Sequence, residues 1–219
     1  TVRLADTTNG RQLWGQALEF NMQNGSMKAL QKDLVGQVTA IIADSYGIIP
    51  RTLAKESSAR QPDNPGVYEA VLRYYHHFRV LTPESYVSAI NALETSVQSN
   101  PDHALATAAL GDLVASSYLF GYDEDASHLA RTEVLARKAM ALDPNDQVVR
   151  WTMAFIYFLN FQRSLFLSEV KQALRLNPNS AHFNAVVSLH MAMVGEWEHA
   201  MQLIRKAMRL NPYHPGWYH

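Results

Sequence analysis

Four prolines within residues 66–219 of the sequence each directly follow an Asn or Asp residue, and in three of the four a Leu precedes that residue. Successive prolines are 43, 34 and 34 residues apart. A fixed period of this length indicates stacked copies of one supersecondary unit, and a proline after an apolar run ends a helix. The chain is therefore predicted to be mainly α, with repeated helix pairs that end at Gln-Ser-Asn-Pro101, Ala-Leu-Asp-Pro144, Arg-Leu-Asn-Pro178 and Arg-Leu-Asn-Pro212.

Small residues recur in phase with these prolines. Five residues before each proline stand Ser96, Ala139, Ala173 and Ala207. Twelve residues before stand Ala89, Thr132, Phe166 and Ala200, so one large residue interrupts the second series. Small side chains at fixed points let neighbouring helices approach closely. The 43-residue step carries its extra residues near 120–126, which predicts a longer connection between two helices there.

With these residues the chain resembles the tetratricopeptide repeat (TPR) superfamily over residues 66–219. The resemblance implies a TPR-type helical solenoid of about four helix pairs, whose first helices line a concave groove. An irregular helical bundle with coincidental prolines is the alternative. The repeats are predicted at 70–102, 103–146, 147–180 and 181–214, with a fifth starting at 215–219.

The C-terminal residues carry aromatic side chains and histidines at high density. In phase with the repeat, Pro215 begins the first turn of a fifth unit, followed by Trp217 and Tyr218. The sequence therefore predicts a cut edge of the repeat array rather than a metal site. Its aromatic side chains are expected to contact the nearest surface.

The first fifty residues follow a different pattern. Two short extended runs flank Asn9-Gly10, which is a strong hairpin signal. Apolar residues then recur at helical spacing over residues 30–42. A β-β-α unit is predicted for 1–50, and the polar stretch 51–65 is predicted to be a linker. Because two strands are marginal alone, either a missing part completes the sheet or the unit packs on the repeats. The apolar helix positions are Leu30, Leu34, Val38, Ile41 and Ile42.

The order of these parts is similar to a second, multidomain arrangement in bacterial signalling proteins. In it a class III adenylate cyclase or an OmpR-type winged-helix DNA-binding domain precedes a TolB-like α/β domain and TPRs. The resemblance implies that 1–50 is the C-terminal part of the TolB-like domain and that the output domain lies upstream. The matching residues are Asp6-Thr7, Gly10, Leu13-Trp14, Ala29-Leu30-Gln31, Leu34, Tyr68, Leu72-Arg73 and Thr82-Pro83-Glu84.

Composition and motifs argue against chemistry in this chain. The formal net charge is −1, which disfavours nucleic-acid binding, and there are no cysteines. No apolar run approaches the ~20 residues of a membrane-spanning helix. The nine histidines lack the spacing of paired metal ligands on one helix face. No catalytic residue, cofactor or metal is therefore expected.

The groove is the remaining candidate site. A groove that clamps a carboxylate needs Lys, Arg or Asn donors, and these are missing at the groove positions that the TPR resemblance implies. An apolar partner is expected instead: a protein or peptide, or a second copy of the chain. In the alternative interpretation, the large aromatic side chains belong to the hydrophobic core between neighbouring repeats. The groove positions are Tyr74, Phe78, Val148, Trp151, Phe155, Phe158, Leu159, His182, Leu189 and Met193.

The leading hypothesis is thus a non-catalytic interaction and regulatory region of a bacterial signalling protein. It would bind a partner, itself or its own output domain through the apolar groove. The alternatives are a scaffold within an adenylate or guanylate cyclase, a part of a winged-helix transcriptional regulator, and a freestanding adaptor.

Overall fold

The computed structural model of the protein describes residues 1–7, 9–17, 27–45, 47–60, 66–121 and 127–219. Within these ranges a small antiparallel sheet precedes a series of helices. The strands are β1 (Val2–Ala5) and β2 (Gln12–Gln16). The helices are α1 (Met27–Ala43), α2 (Ile48–Arg60), α3 (Val67–Val80), α4 (Pro83–Ser99), α5 (Ala104–Leu119), α6 (Ser127–Leu142), α7 (Gln147–Leu159), α8 (Arg163–Leu176), α9 (Ala181–Met193) and α10 (Trp197–Leu210).

Helices α3 to α10 form four consecutive helix pairs in the described part of the chain. The second helices α4, α6, α8 and α10 each end two residues before one of the four recurring prolines. Proline cannot continue a helix because it lacks the backbone N–H and its ring clashes with the preceding turn. The predicted mainly α solenoid of helix pairs behind a small two-stranded sheet is confirmed.

Among the described residues, the turn within each pair contains one residue in the left-handed conformation. Glycine fills this position in two pairs, at Gly121 and Gly195, with φ of 69° and 86°. In the other two pairs the position holds Leu81 and Phe161, with φ of 54° and 57°. A side chain in this region costs free energy that glycine avoids.

The small residues that recur in phase with the prolines are buried between the helices. Ala89, Thr132, Ala139 and Ala173 are completely buried. Phe166, the one large residue in this series, is completely buried as well, and its ring centroid lies 5.7 Å from that of Phe158. The third pair therefore has a large aromatic side chain at the position where the other pairs have a small one.

The hairpin forms around Gly10, which has a φ of 73°. Strand β1 pairs antiparallel with β2, with Val2 opposite Gln16 and Leu4 opposite Trp14. Helix α1 follows with Ile41 buried. The side chain of Leu30 and residues 18–26 lie outside what the structure describes.

Of the two arrangements left open for the N-terminal unit, the structure shows packing on the repeats. Helix α1 contacts α10, and Asp44 just beyond α1 meets the start of α9. The Ser180 hydroxyl donates to Asp44 Oδ1 at 2.7 Å, and the His182 backbone N–H donates to Asp44 Oδ2 at 2.9 Å. Because the first N–H groups of a helix have no partner within the helix, this carboxylate helps to cap α9.

The predicted linker over 51–65 differs from the structure in its first ten residues. Residues 51–60 belong to helix α2, and 61–65 lie outside the described residues. Pro50 does not block this helix, because it lies in the first turn, where a proline's missing N–H has no helical partner to lose. Polar composition alone therefore misplaced the boundary.

The C-terminal aromatic residues pack back onto the solenoid. Gly216–Tyr218 form a single 3-10 turn, and Tyr218 is buried beside Ala185 and Ala207. Trp217 Nε1 donates to the backbone carbonyl of Phe78 at 3.3 Å. The C-terminal turn thus contacts α3, the first helix of the first pair. None of the described helices is long and apolar enough for a transmembrane span.

Candidate interaction site: an aromatic cavity and its apolar rim

The first helices of the four pairs, α3, α5, α7 and α9, surround a cavity on the concave face of the solenoid. We call it the central cavity. Trp217 of the C-terminal turn closes one side of it, and its volume is about 160 Å³. Its lining is predominantly apolar and aromatic: Phe78, Leu81, Asp112, Ser116, Leu119, Phe120, Trp151, Phe155, His182, Val186, Leu189, His190 and Trp217.

The structure distributes the ten predicted groove residues over several environments. Five of them line the central cavity: Phe78, Trp151, Phe155, His182 and Leu189.

The other five predicted residues do not line the cavity. Tyr74 and Val148 are buried in the core, whereas Phe158 and Leu159 are half-buried against it. Met193 is exposed. Trp151 and Phe155 are each only 2% exposed, so they belong to the core and to the cavity wall at once.

The sequence prediction missed several of the lining residues. Phe120 follows the last residue of α5, and Trp217 arrives from the far end of the chain. Asp112 had a detectable signal, because an acidic residue inside a helix that is otherwise small and apolar needs a buried partner. His190 lies eight residues after His182, close to the same face of α9.

Asp112 is held in the cavity wall by two uncharged donors. The Tyr74 hydroxyl donates to Asp112 Oδ2 at 2.7 Å, and Trp151 Nε1 donates to Asp112 Oδ1 at 2.7 Å. Burial raises the pKa of Asp112 to about 6, although the two hydrogen bonds oppose this shift. The carboxyl group therefore remains largely ionised at neutral pH.

Two buried imidazoles also line the cavity. Burial lowers the pKa of His182 to about 3 and that of His190 to about 4, so both are neutral at pH 7. His190 Nδ1 lies 2.8 Å from the carbonyl oxygen of Val186. The His190 ring meets the rings of Trp151 and Phe155 edge-on, at centroid distances of 4.9 and 5.1 Å.

Large apolar side chains are exposed around the mouth of the central cavity. Leu81, Phe120 and Leu189 line the cavity, and Met193 follows Leu189 by one helical turn. These four residues, which we call the rim, are between 37% and 56% exposed. Single exposed apolar residues are ordinary, but a group of them beside a cavity is typical of a binding surface.

The described residues contain no group of three or more His, Asp or Glu side chains that could hold a metal ion. The part of the lining that the structure describes is an apolar, aromatic surface with one largely ionised carboxyl group and two neutral imidazoles. This arrangement suits the binding of a group that is apolar and not negatively charged.

The fold is similar to that of solved structures of other proteins. The thermophilic TPR protein TTC0263 of Thermus thermophilus superposes with a TM-score of 0.54, covering 84% of this chain and 92% of that protein at 17% identity. The chain has the TPR fold. MamA gives a TM-score of 0.41 at 17% identity over 59% of this chain and 70% of MamA.

In sequence, the chain is similar to the transcriptional regulator HilA of Salmonella typhimurium. The two are 26% identical over 141 residues, which is 64% of this chain. The match spans 26% of HilA, about a quarter of its length. No protein-family model matches the chain.

Proposed function

We propose that this chain is a non-catalytic protein–protein interaction region that binds an apolar segment of a partner protein at the rim. The observation that supports this is the exposure of Leu81, Phe120, Leu189 and Met193 around an aromatic cavity. Burying such side chains against a partner contributes about 25 cal/mol per Å² of apolar surface. The TPR fold supplies the rigid concave frame on which the rim is mounted.

The charges around the cavity select the kind of segment. Among the described residues, the cavity lining contains no Lys or Arg, and Asp112 is its one acidic side chain. A partner carboxylate placed here would meet a like charge and no charged donor, which is unfavourable in a buried contact. The partner segment is therefore apolar and free of acidic side chains where it touches the rim.

A photo-crosslinking amino acid in place of Leu189 should give a discrete crosslinked product in cells that make the full-length protein. Phe120→Glu should remove that product, because it buries a charge in the apolar contact. Gel mobility and mass spectrometry measure the product. The matched control places the same amino acid at Val134, which is 68% exposed on α6 and outside the rim.

Equal yields at positions 189 and 134, or a product that survives Phe120→Glu, would contradict binding at the rim. A product with the mass of two copies would assign the rim to self-association and overturn the partner-protein assignment.

The similarity to HilA supports a finer proposal, that the region belongs to a transcriptional regulator and not to an adenylate or guanylate cyclase. Because the match spans only 26% of HilA, the regulator's activity is part of this proposal. Deleting this chain from the full-length protein should change reporter transcription while leaving DNA binding intact in a mobility-shift measurement. Formation of cyclic nucleotide by the purified full-length protein would support the cyclase alternative instead.

A further inference from the structure

Asp112 lies in the wall of the central cavity, and none of the described positively charged side chains pairs with it. Its side chain is 3% exposed. Among the described residues it accepts hydrogen bonds from Tyr74 and Trp151, both uncharged, and it forms no ion pair. A carboxylate removed from water without an opposite charge is costly. A cation in the adjoining cavity would remove that cost.

The polar groups of the lining have acceptor capacity to spare. A carboxylate offers about four acceptor positions, and donors to Asp112 occupy two of them. His190 Nδ1 donates to a backbone carbonyl, which leaves Nε2 as an acceptor, and Nε2 has no hydrogen-bond partner among the described residues. The indole N–H groups of Trp151 and Trp217 already donate hydrogen bonds to Asp112 and to the Phe78 carbonyl, so they are not available as donors to a ligand. An ammonium group, which has donors only, complements this lining.

The walls and the size of the cavity restrict the rest of the ligand. Trp151 and Phe155 stack with centroids 5.4 Å apart and an interplanar angle of 20°, and aromatic faces attract cations. The volume of about 160 Å³ is well below the roughly 300–1,000 Å³ of pockets that hold drug-sized ligands. A molecule with one ring and a short arm fits this space, whereas a large cofactor or a peptide does not.

We propose that the central cavity binds a small arylalkylammonium ion, with the ring among the aromatic walls and the ammonium group at Asp112. The Ser116 side chain, one helical turn beyond Asp112, lines the same cavity and can accept a further hydrogen bond. This site lies inside the rim, and its occupation does not depend on partner binding.

Isothermal titration of the purified chain with 2-phenylethylammonium chloride should give saturable binding with one ligand per chain. The uncharged 2-phenylethanol should bind at least about tenfold more weakly, because it lacks the charge that pairs with Asp112. The anion phenylacetate should not bind. In an NMR titration the indole N–H signals of Trp151 and Trp217 should shift with the amine.

Asp112→Asn tests the charge while it retains the size of the side chain. Its amide oxygen can accept from Trp151 Nε1, and its amide NH2 can donate to the Tyr74 hydroxyl oxygen. This variant should lose about tenfold in affinity for the amine and keep its affinity for 2-phenylethanol. Asp143→Asn, which makes the same charge change at an exposed position, should bind like the wild type. Thermal unfolding checks that both variants are folded.

Equal affinity of the wild type for the amine and the alcohol would overturn the proposal without the use of any variant. Absence of amine binding would overturn it too, and would leave the crosslinking result at Leu189 as a separate test of the partner site.

Discussion

Phe166→Ala should lower the free energy of unfolding by about 3–5 kcal/mol, although alanine is what the first and fourth pairs carry at this position. Ala89 and Ala200 occupy it there, and both are buried between their helices. Phe166 has no exposed surface and packs against Phe158. Removing its ring leaves a cavity that the surrounding helices can fill only in part.

Urea or thermal denaturation of the purified chain, followed by circular dichroism, measures this loss. Phe161→Ala is the matched control, because Phe161 lies on the turn before α8 and is 95% exposed. It should change the free energy of unfolding by less than about 0.5 kcal/mol. If Phe166→Ala left the free energy of unfolding unchanged or raised it, the prediction would be wrong. The small residue of the repeat pattern would then be as stable at this position as the packed aromatic ring.

The fold was predictable where local chemistry decides it. The recurring prolines mark the ends of the second helices, and Asn9-Gly10 marks the hairpin, because both act through the backbone of a few neighbouring residues. Helix α2 was not predicted, since the polar composition of residues 51–60 is compatible with a loop as well as with a surface helix. Whether such a segment forms a helix depends on its tertiary contacts.

The candidate site was predictable only in part. Phe78, Trp151, Phe155, His182 and Leu189 follow from their positions on the first helices of the repeat. Asp112 also has a local signal, as the acidic residue of a helix that is otherwise small and apolar. The partners of Asp112 and the position of Trp217 depend on contacts between distant residues, which no local pattern encodes.

Two contacts show this dependence. Asp112 and Trp151 meet across 39 positions of sequence, and Trp217 meets Phe78 across 139. Such contacts follow from how far each helix pair turns relative to the next.

Lowering the pH from 7 to 4 should destabilise the protein through its buried histidines. His182 and His190 have pKa values lowered by burial to about 3 and about 4, whereas an unfolded histidine has a pKa of about 6.5. Below pH 6.5 the unfolded chain therefore binds protons that the folded chain does not. The stability from these two residues is complete above pH 6.5 and is lost as the pH falls toward the folded pKa values, on the order of 3 kcal/mol for each.

Buried carboxyl groups act in the opposite direction over part of this range. Burial raises the pKa of Asp112 to about 6 and also raises that of Asp44, so the folded chain takes up these protons first as the pH falls. Their contribution to stability is greatest at low pH and is lost as the pH rises through the folded pKa. His77 has a pKa lowered to about 4 and therefore destabilises the folded protein in acid as His182 and His190 do. Together the histidines outweigh the carboxyl groups, and the free energy of unfolding falls at low pH.

The histidine contribution is isolated by comparing His190→Gln with the wild type. Glutamine can donate to the carbonyl of Val186 as His190 does, but it does not titrate. The free energy of unfolding, measured by urea denaturation at several pH values between 7 and 4, should depend on pH less steeply in this variant by up to one proton. His219→Gln, at an exposed position, should keep the wild-type slope. An unchanged slope in His190→Gln would mean that this imidazole takes up its proton in the folded protein, inside the aromatic cluster of Trp151 and Phe155, and would refute its assignment as a neutral wall of the cavity.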